Sequence, residues 1–302
     1  MKVFITGGTG FVGREILWQL HEAGHRIFLL SRRGPAEDVR QLAYRHRAEI
    51  VTGGLESAET LAGLMQGCEA VIHLVGIISE HGRNTFQRAH VETTQTVLSA
   101  AARAGARRYL HMSALGSRPG ARSRYHQTKW QAEELVRSSG LAWTIFRPSV
   151  IYGRDDGFVN LLAKICRRSP IIPVFGAGTN QLQPVAVEAV ARAFVGALNC
   201  ERSVGRTYEL CGREVFTMKA LYDTILRVMK IRRPKLHLPM PLARWQAGFM
   251  EAACSVVGRP SPLTRDQLLM LEEDNVGDPT AAEADFQLAS QSFAEGIAKY
   301  IR

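Results

Sequence analysis

The stretch Thr6-Gly7-Gly8-Thr9-Gly10-Phe11-Val12-Gly13 decides the fold of this 302-residue chain. It follows an apolar run and opens the amphipathic pattern Phe11–Ala23, so a strand, a glycine turn and a helix come in that order. Gly7 permits the tight turn, Gly10 lets the backbone approach a pyrophosphate, and Gly13 lets helix and strand pack closely. The stretch predicts a dinucleotide-binding turn formed by Gly7, Thr9, Gly10, Phe11, Val12 and Gly13.

Apolar runs and helical patterns alternate through the rest of the first half. Runs typical of strands are Lys2–Thr6, Arg26–Ser31, Glu49–Thr52, Ala70–Val75, Arg108–Met112 and Trp143–Arg147. Helical spacing recurs over Phe11–Ala23, Thr93–Ala104 and Ser123–Ser138. Apolar strands separated by helices indicate a parallel sheet covered on both faces. Right-handed crossovers make this an α/β fold with a Rossmann-type doubly wound sheet.

The alternation changes after Arg147-Pro148. Predicted helices and short strands of the second half are Phe158–Arg167, Val187–Leu198, Lys219–Met229, Ile171–Phe175 and Thr207–Leu210. We therefore expect an NAD(P)-binding Rossmann domain over residues 1-150. Residues 151-302 are expected to form a smaller, mostly helical lobe for substrate or partner that packs on the first domain and shares some sheet elements.

Composition narrows the class of protein. The chain is 46% hydrophobic and 22% charged, and no run approaches the roughly 18 apolar residues of a membrane span. Five scattered cysteines and nine scattered histidines lack ligand spacing, so no metal site is predicted. The net charge of +10 comes from dispersed residues without a nucleic-acid-binding motif, so we expect no nucleic-acid partner. The apolar run directly after Met1 predicts a cytoplasmic location.

The end of the second strand bears on the choice of cofactor. NAD sites usually place an acid there for the ribose 2′-hydroxyl, whereas an arginine accommodates the 2′-phosphate of NADP. Here the strand ends Leu30-Ser31-Arg32-Arg33, with no acid before Glu37. We therefore favour NADP(H) over NAD(H), with Arg32 as the main phosphate ligand and Ser31 and Arg33 assisting. The alternative is that these arginines belong to a solvated loop.

Tyr125 and Lys129 lie four residues apart in a helical pattern, which places them one turn apart on one face. A nearby ammonium favours the phenolate, so the two side chains suit acid–base chemistry. Ser113, at the end of the fifth strand, could bond a substrate carbonyl or hydroxyl. The same spacing is also common on exposed helix faces.

Together these residues resemble the short-chain dehydrogenase/reductase superfamily. The glycine pattern, Ser113, Tyr125 with Lys129, and Arg147-Pro148-Ser149 match its extended, epimerase/dehydratase-like branch over the first two thirds of the chain. The resemblance implies that Ser113, Tyr125 and Lys129 form the catalytic set and that Lys129 also holds the nicotinamide ribose. It further implies cofactor-binding roles for Val75, Gly76 and Pro148.

A narrower resemblance covers most of the chain. It is carried by the segments HMSALGS, SRYHQTKWQAEE, FRPSVIYGRDDGFVN, QPVAVEAVARAF and LTRDQLLMLEEDNV. They are similar to the family of the NADPH-binding accessory subunit of respiratory complex I and its bacterial relatives. This likeness implies a link to quinone metabolism or the respiratory chain, and a hydrophobic or quinone-like substrate. It also implies that some members hold the cofactor without turnover.

Three positions depart from the extended-branch pattern. Gly54 stands where that branch usually carries an Asp facing the adenine. His90 stands where an Asn is frequent, and Ala114 follows Ser113 where sugar-nucleotide enzymes often have a second hydroxyl residue. The last two differences weaken the interpretation as a sugar-nucleotide epimerase.

Three functions remain open from the sequence. The leading hypothesis is an NADP(H)-dependent oxidoreductase of the extended short-chain dehydrogenase type. The alternatives are a non-catalytic NADPH-holding assembly or sensor protein and a nucleotide-sugar epimerase or dehydratase. The apolar segment Pro239–Val257 carries Trp245, Phe249 and Met250 at helical spacing. It predicts either packing on the cofactor domain or contact with a membrane surface, quinone or respiratory complex.

Overall fold

The chain, described here from a computed structural model, is seen over residues 1–256, 261, 263–288 and 291–301. Its strands are β1 (Lys2–Thr6), β2 (Arg26–Ser31), β3 (Ala48–Thr52), β4 (Ala70–His73), β5 (Arg108–Met112), β6 (Ala142–Pro148), β7 (Ile151–Tyr152), β8 (Ile172–Phe175), β9 (Gln181–Leu182), β10 (Val185–Ala186), β11 (Arg206–Leu210), β12 (Phe216–Thr217) and β13 (Lys235–Leu238). Its α-helices are α1 (Phe11–Glu22), α2 (Glu37–Arg45), α3 (Ala58–Leu64), α4 (Thr93–Arg103), α5 (Arg124–Arg137), α6 (Val159–Arg168), α7 (Val187–Ala197), α8 (Met218–Met229), α9 (Met240–Val256), α10 (Arg265–Leu271), α11 (Thr280–Phe286) and α12 (Phe293–Ala298).

The central sheet has seven parallel strands in the order β11-β6-β5-β4-β1-β2-β3. Val3 of β1 pairs with Ile27 on one side and with Ala70 on the other. Strands β1 to β3 therefore follow one another toward one edge of the sheet, and β4 to β6 follow toward the other, so the strand order reverses between β1 and β4. Such a reversal opens a crevice at the carboxyl ends of the strands, where ligands bind in doubly wound sheets. The predicted fold class is confirmed.

Apolar side chains cover both faces of this sheet. Helix α1 buries Val12, Ile16, Leu17 and Leu20 against it, which is the periodicity read from the sequence. The opposite face is covered by a second apolar layer from α3, α4 and α5. Since both faces are buried, the strands can be continuously apolar, and β4 has no exposed residue.

The predicted strands and helices are all present, with ends that differ from the prediction by at most two residues. The sequence did not predict α2, α3, α10, α11 and α12, each of which has nine residues or fewer. The two-residue strands were also missed, because they form small pairs (β7 with β10, β9 with β12) outside the main sheet. Among the described residues, no helix combines the length and apolarity needed to cross a membrane.

Two histidines are completely enclosed in adjacent strands of the sheet. His73 Nδ1 lies 2.7 Å from Thr6 Oγ1, and the rings of His73 and His111 stack with centroids 5.6 Å apart. Neither ring nitrogen of His111 has a hydrogen-bond partner among the described residues. Burial lowers the pKa of His73 to about 3, and it lowers the pKa of His111 well below its usual range. Both rings are therefore neutral at pH 7.

These histidines make the fold sensitive to acid. A histidine whose pKa is depressed by folding contributes full stability above its unfolded pKa of about 6.5 and loses it as pH falls below that value. We expect each ring to remove about 2 kcal/mol of unfolding free energy between pH 7.5 and pH 5. Urea unfolding at both pH values should give His111→Phe a smaller loss than wild type. The exposed His237, replaced in the same way, is the control. An equal loss in wild type and His111→Phe would contradict the assignment.

Candidate functional site

The glycine turn lies at the crevice, between the end of β1 and the start of α1. Gly7 has φ +76°, and a Cβ at this position would lie 3.1 Å from the Val75 backbone nitrogen. A Cβ at Gly13 would lie 2.5 Å from the Gly7 carbonyl oxygen. At Gly10, apart from the neighbouring residues, such a Cβ would have one atom of the described chain within 4 Å, the Gly7 carbonyl oxygen, so the space beyond Gly10 is open. This is the shape that lets a pyrophosphate approach the start of α1.

The end of β2 separates the two candidate arginines. Arg33 Nη2 lies 2.5 Å from Asp38 Oδ2, so its charge is already paired. Arg32 is exposed and has no hydrogen bond or ion pair to the described part of the chain. The hydroxyl of Ser31 donates to the Gly34 carbonyl oxygen at 3.0 Å, which fixes the turn. Of the two guanidinium groups, that of Arg32 is therefore the one available to a ligand.

Helix α5 brings the predicted catalytic side chains to the same crevice. Its start is capped by Ser123 Oγ, which accepts from the His126 backbone N–H at 3.2 Å. The carboxylate of Asp266 accepts from the backbone N–H groups of Arg124 at 2.7 Å and Tyr125 at 3.2 Å. Asp266 belongs to α10, so the second half of the chain holds the first turn of α5.

The Tyr125 ring is packed among aromatic side chains. Its edge meets His90 at 5.3 Å and Phe86 at 5.9 Å between ring centroids. Burial raises the pKa of Tyr125 to about 12. The expectation that Lys129 favours the phenolate is therefore not met, because desolvation of the phenol raises the pKa. At neutral pH the phenol is protonated.

Lys129 is buried one turn along α5. Its Nζ donates to the Met112 carbonyl oxygen at 3.0 Å. Burial lowers its pKa to about 8, an effect that the charge of Glu133 partly opposes. A Cβ at Gly76 would lie 2.9 Å from this Nζ, so the ammonium adjoins the loop after β4. The structure thus brings together Lys129, Tyr125 and Gly76, as the sequence predicted.

His90 links the loop after β4 to α5 through hydrogen bonds. It lies in a π-helical turn, Gln87–Glu92, that leads into α4. Its Nδ1 lies 2.9 Å from Thr128 Oγ1. Its Nε2 lies 3.0 Å from the Ile77 carbonyl oxygen and 3.2 Å from the Ile77 backbone nitrogen. Burial lowers the pKa of His90 to about 2, which keeps the ring neutral.

A cleft of about 280 Å³ opens at these residues. Tyr125, Lys129, Ser113, Gly76 and Pro148 all line it, so it contains the whole predicted catalytic set. Most of the remaining wall is apolar and consists of Leu74, Ile77, Ile78, Met112, Ala114, Leu115, Val150, Ile151 and Met270. Such a wall suits an apolar substrate with one or two polar groups.

A buried carboxylate supports the floor of the cleft. Glu133 lies four residues after Lys129 on α5 and is completely buried. Its carboxylate accepts from Arg147 of β6 at 2.8 and 2.6 Å and from Arg137 Nη2 at 2.6 Å. Ser113 Oγ also donates to Glu133 Oε1, at 2.5 Å. The sequence analysis missed Glu133, although its spacing from Tyr125 and Lys129 places all three on one helix face.

The second half of the chain closes the cleft. Asn275 Oδ1 accepts from the Val150 backbone N–H at 3.1 Å, which leaves its amide NH₂ as a donor in the cleft wall. Arg118 pairs with Glu273 at 2.8 Å and Arg122 pairs with Glu272 at 3.2 Å. These ion pairs tie the loop after β5 to the end of α10. No local sequence signal identified Asn275, because it is far from the other site residues in the chain.

Comparisons with known proteins agree with this site. A family model described as NAD(P)H-binding matches residues 7–169. The chain is 30% identical over 276 residues to the mitochondrial NADH dehydrogenase [ubiquinone] 1 alpha subcomplex subunit 9 of Arabidopsis thaliana, covering 90% of this chain and 68% of that protein. It is 31% identical over 262 residues to the ceramide reductase of Caulobacter vibrioides, covering 86% of this chain and 80% of that protein.

A solved structure is similar over the full length. The UDP-glucuronic acid 4-epimerase of Bacillus cereus, in complex with UDP-glucuronic acid and NAD, superposes with a TM-score of 0.75. The match covers 100% of this chain and 99% of that one at 19% identity, so it establishes a common fold. With the glycine turn and the Tyr125–Lys129 helix at one crevice, these matches show that the chain belongs to the NAD(P)H-binding family of the short-chain dehydrogenase/reductase superfamily.

Proposed function

We propose that this protein is an NADP(H)-dependent reductase of a carbonyl group on an apolar or quinone-like molecule. The observation that carries the proposal is the protonated phenol of Tyr125 in an apolar cleft beside Lys129. A reductase must protonate the oxygen that gains charge, so a tyrosine with a pKa of about 12 suits that direction. The relative named ceramide reductase supports a reduction of this kind.

The residues present fit a nicotinamide dinucleotide. The space beyond Gly10 would take the pyrophosphate, Lys129 would hold the nicotinamide ribose, and Gly76 and Pro148 would border the ring. When bound, NADPH supplies the hydride that adds to the carbonyl carbon. Tyr125 gives its proton to the carbonyl oxygen, which forms the alcohol, and it regains a proton from solvent.

Arg32 supports the preference for NADP(H). It is exposed at the end of β2, and no acid of the described chain neutralises it, whereas Arg33 is paired with Asp38. A phosphate on the adenosine ribose would therefore meet a free guanidinium group, which recognises phosphate well.

Replacing Arg32 tests this preference. We expect wild type to bind NADPH more tightly than NADH, and Arg32→Ala to weaken NADPH by about tenfold or more while NADH changes little. Calorimetric titration of both cofactors measures the effect. Arg33→Ala is the matched control, because its guanidinium is already paired, and it should change NADPH affinity less. Tighter binding of NADH to wild type, or equal weakening of both cofactors by Arg32→Ala, would refute the assignment.

Replacing Tyr125 tests the chemistry. Tyr125→Phe should keep NADPH affinity and lose turnover by about 10²–10⁴-fold, because the proton donor is gone. Lys129→Met should damage both binding and turnover, since the ammonium would hold the nicotinamide ribose and turnover requires the bound cofactor. NADPH oxidation is followed with straight-chain ketones and quinones as acceptors. The highly exposed Tyr44, changed to Phe, is the control and should retain full turnover.

The second candidate is a protein that holds NADPH without turnover. It is favoured by the relative named as a subunit of NADH dehydrogenase. In that case wild type and Tyr125→Phe would show equal residual oxidation, and NADPH would raise the melting temperature of both. A sugar-nucleotide reaction is less well supported. Among the described residues of the cleft wall only Lys129 and His126 are basic, which is little positive charge for a diphosphate sugar.

We further propose that one face of α9 contacts a membrane surface from which an apolar substrate enters. Leu242, Trp245 and Phe249 are spaced along this face and are 51%, 71% and 66% exposed. The opposite face packs Ala243 and Ala247 on Leu268 of α10. Exposed Trp and Phe on a helix of a basic protein suit the interface of an anionic bilayer. Val257, at the end of the predicted segment, lies outside the described residues.

Vesicle binding tests this surface. Wild type should cosediment with vesicles of phosphatidylglycerol and phosphatidylcholine, and Trp245→Glu and Phe249→Glu should lose that binding because they place a charge at the apolar interface. Trp18→Glu is the control, since Trp18 is exposed on α1, away from this face. Equal binding by all variants, or none by wild type, would exclude the α9 contact.

A further inference from the structure

The hydroxyl of Ser113 lines the cleft, yet its proton is engaged elsewhere. Ser113 Oγ lies 2.5 Å from Glu133 Oε1 and 3.3 Å from Ser117 Oγ. The side chain is almost completely buried, so water does not compete for these contacts. Which atom donates in each contact determines what the serine can offer a substrate.

Glu133 can only accept hydrogen bonds. It is completely buried against two guanidinium groups, with Arg147 on both carboxylate oxygens and Arg137 on Oε2. Both of its oxygens accept from guanidinium N–H groups, and a carboxylate carries no donor. The 2.5 Å separation between Ser113 and Glu133 is typical of a hydroxyl that donates to a carboxylate.

The hydroxyl of Ser113 has a free hydrogen-bonding position. A serine hydroxyl has one proton and two lone pairs. The proton of Ser113 goes to Glu133, so the longer contact with Ser117 is one in which Ser117 donates. One lone pair of Ser113 remains, and no other side chain or backbone N–H of the described residues bonds to it. Ser113 therefore presents an acceptor to the cleft.

We propose that Ser113 is a specificity-determining acceptor that selects substrates carrying an O–H or N–H group next to the reducible carbonyl. The inference rests on the proposed reductase function and narrows its substrate to hydroxy or amido ketones. Ser113 does not donate to the carbonyl oxygen, and Tyr125 supplies that hydrogen bond. An O–H or N–H group on an otherwise apolar substrate would donate to the lone pair of Ser113 Oγ, because the proton of this hydroxyl is bound to Glu133.

The test uses ligands that differ only in the donor. Butyroin, an α-hydroxy ketone, is compared with its O-methyl ether, which keeps both oxygens but has no O–H. Dissociation constants are measured by calorimetry on the protein saturated with NADP⁺, so no turnover is needed. We expect wild type to bind butyroin about fivefold to tenfold more tightly than the ether, the worth of one hydrogen bond. Ser113→Ala should reduce this ratio to about one.

Two further variants sharpen the result. Ser113→Thr keeps a hydroxyl and should retain the ratio. Ser113→Cys should lose the ratio, and it replaces Ser113→Ala if that variant does not fold. Ser117→Ala is the matched control and should keep the wild-type ratio. Equal binding of butyroin and its ether to wild type, an unchanged ratio in Ser113→Ala, or no measurable binding of butyroin would overturn the inference. Failure to oxidise NADPH would instead count against the reductase function, because the ratio is measured without turnover.

Discussion

The site depends on the buried carboxylate of Glu133. It fixes α5 to β6 through Arg147, and it fixes the end of β5 through Ser113. A buried ion held by one partner would be costly, but here two guanidinium groups and a hydroxyl satisfy both oxygens. Because Tyr125 and Lys129 lie on the same helix face as Glu133, the anchor also sets where the phenol and the ammonium stand.

The two halves of the chain contribute different parts of this site. The parallel sheet provides the crevice, the glycine turn and the floor of the cleft, all at the carboxyl ends of its strands. The second half provides Asp266, which caps α5, and Asn275, whose backbone and side-chain bonds fix it in the wall. The glycine turn, Lys129 and Gly76 belong to the first half, whereas the wall of the cleft contains residues of both halves.

Much of this could be predicted from the sequence, and the limits have physical reasons. The glycine turn and the apolar periodicity of α1 carry local signals, so the fold and the crevice followed from them. Tyr125 and Lys129 were found through helical spacing. The hydrogen bonds of Glu133 to Arg147 and Ser113 were not predicted. Their partners lie 14 and 20 residues away in the chain, and such separations produce no periodic pattern in the sequence. The protonation of Tyr125 also required the structure, since it depends on burial rather than on the neighbouring lysine.

The exclusively parallel sheet has a consequence for how the chain reaches its native state. None of its strand pairs can form as a hairpin, because parallel neighbours need a crossover between them. The pair of β1 with β4 joins residues 67 positions apart. Strand β11 reaches β6 only after two α-helices and four short strands of the described chain have been passed. Contacts between distant residues slow folding, since loop entropy is lost before they form. The crevice at the centre of the sheet is therefore assembled by long-range steps, and the nascent first half exposes an unpaired β6 edge until β11 arrives.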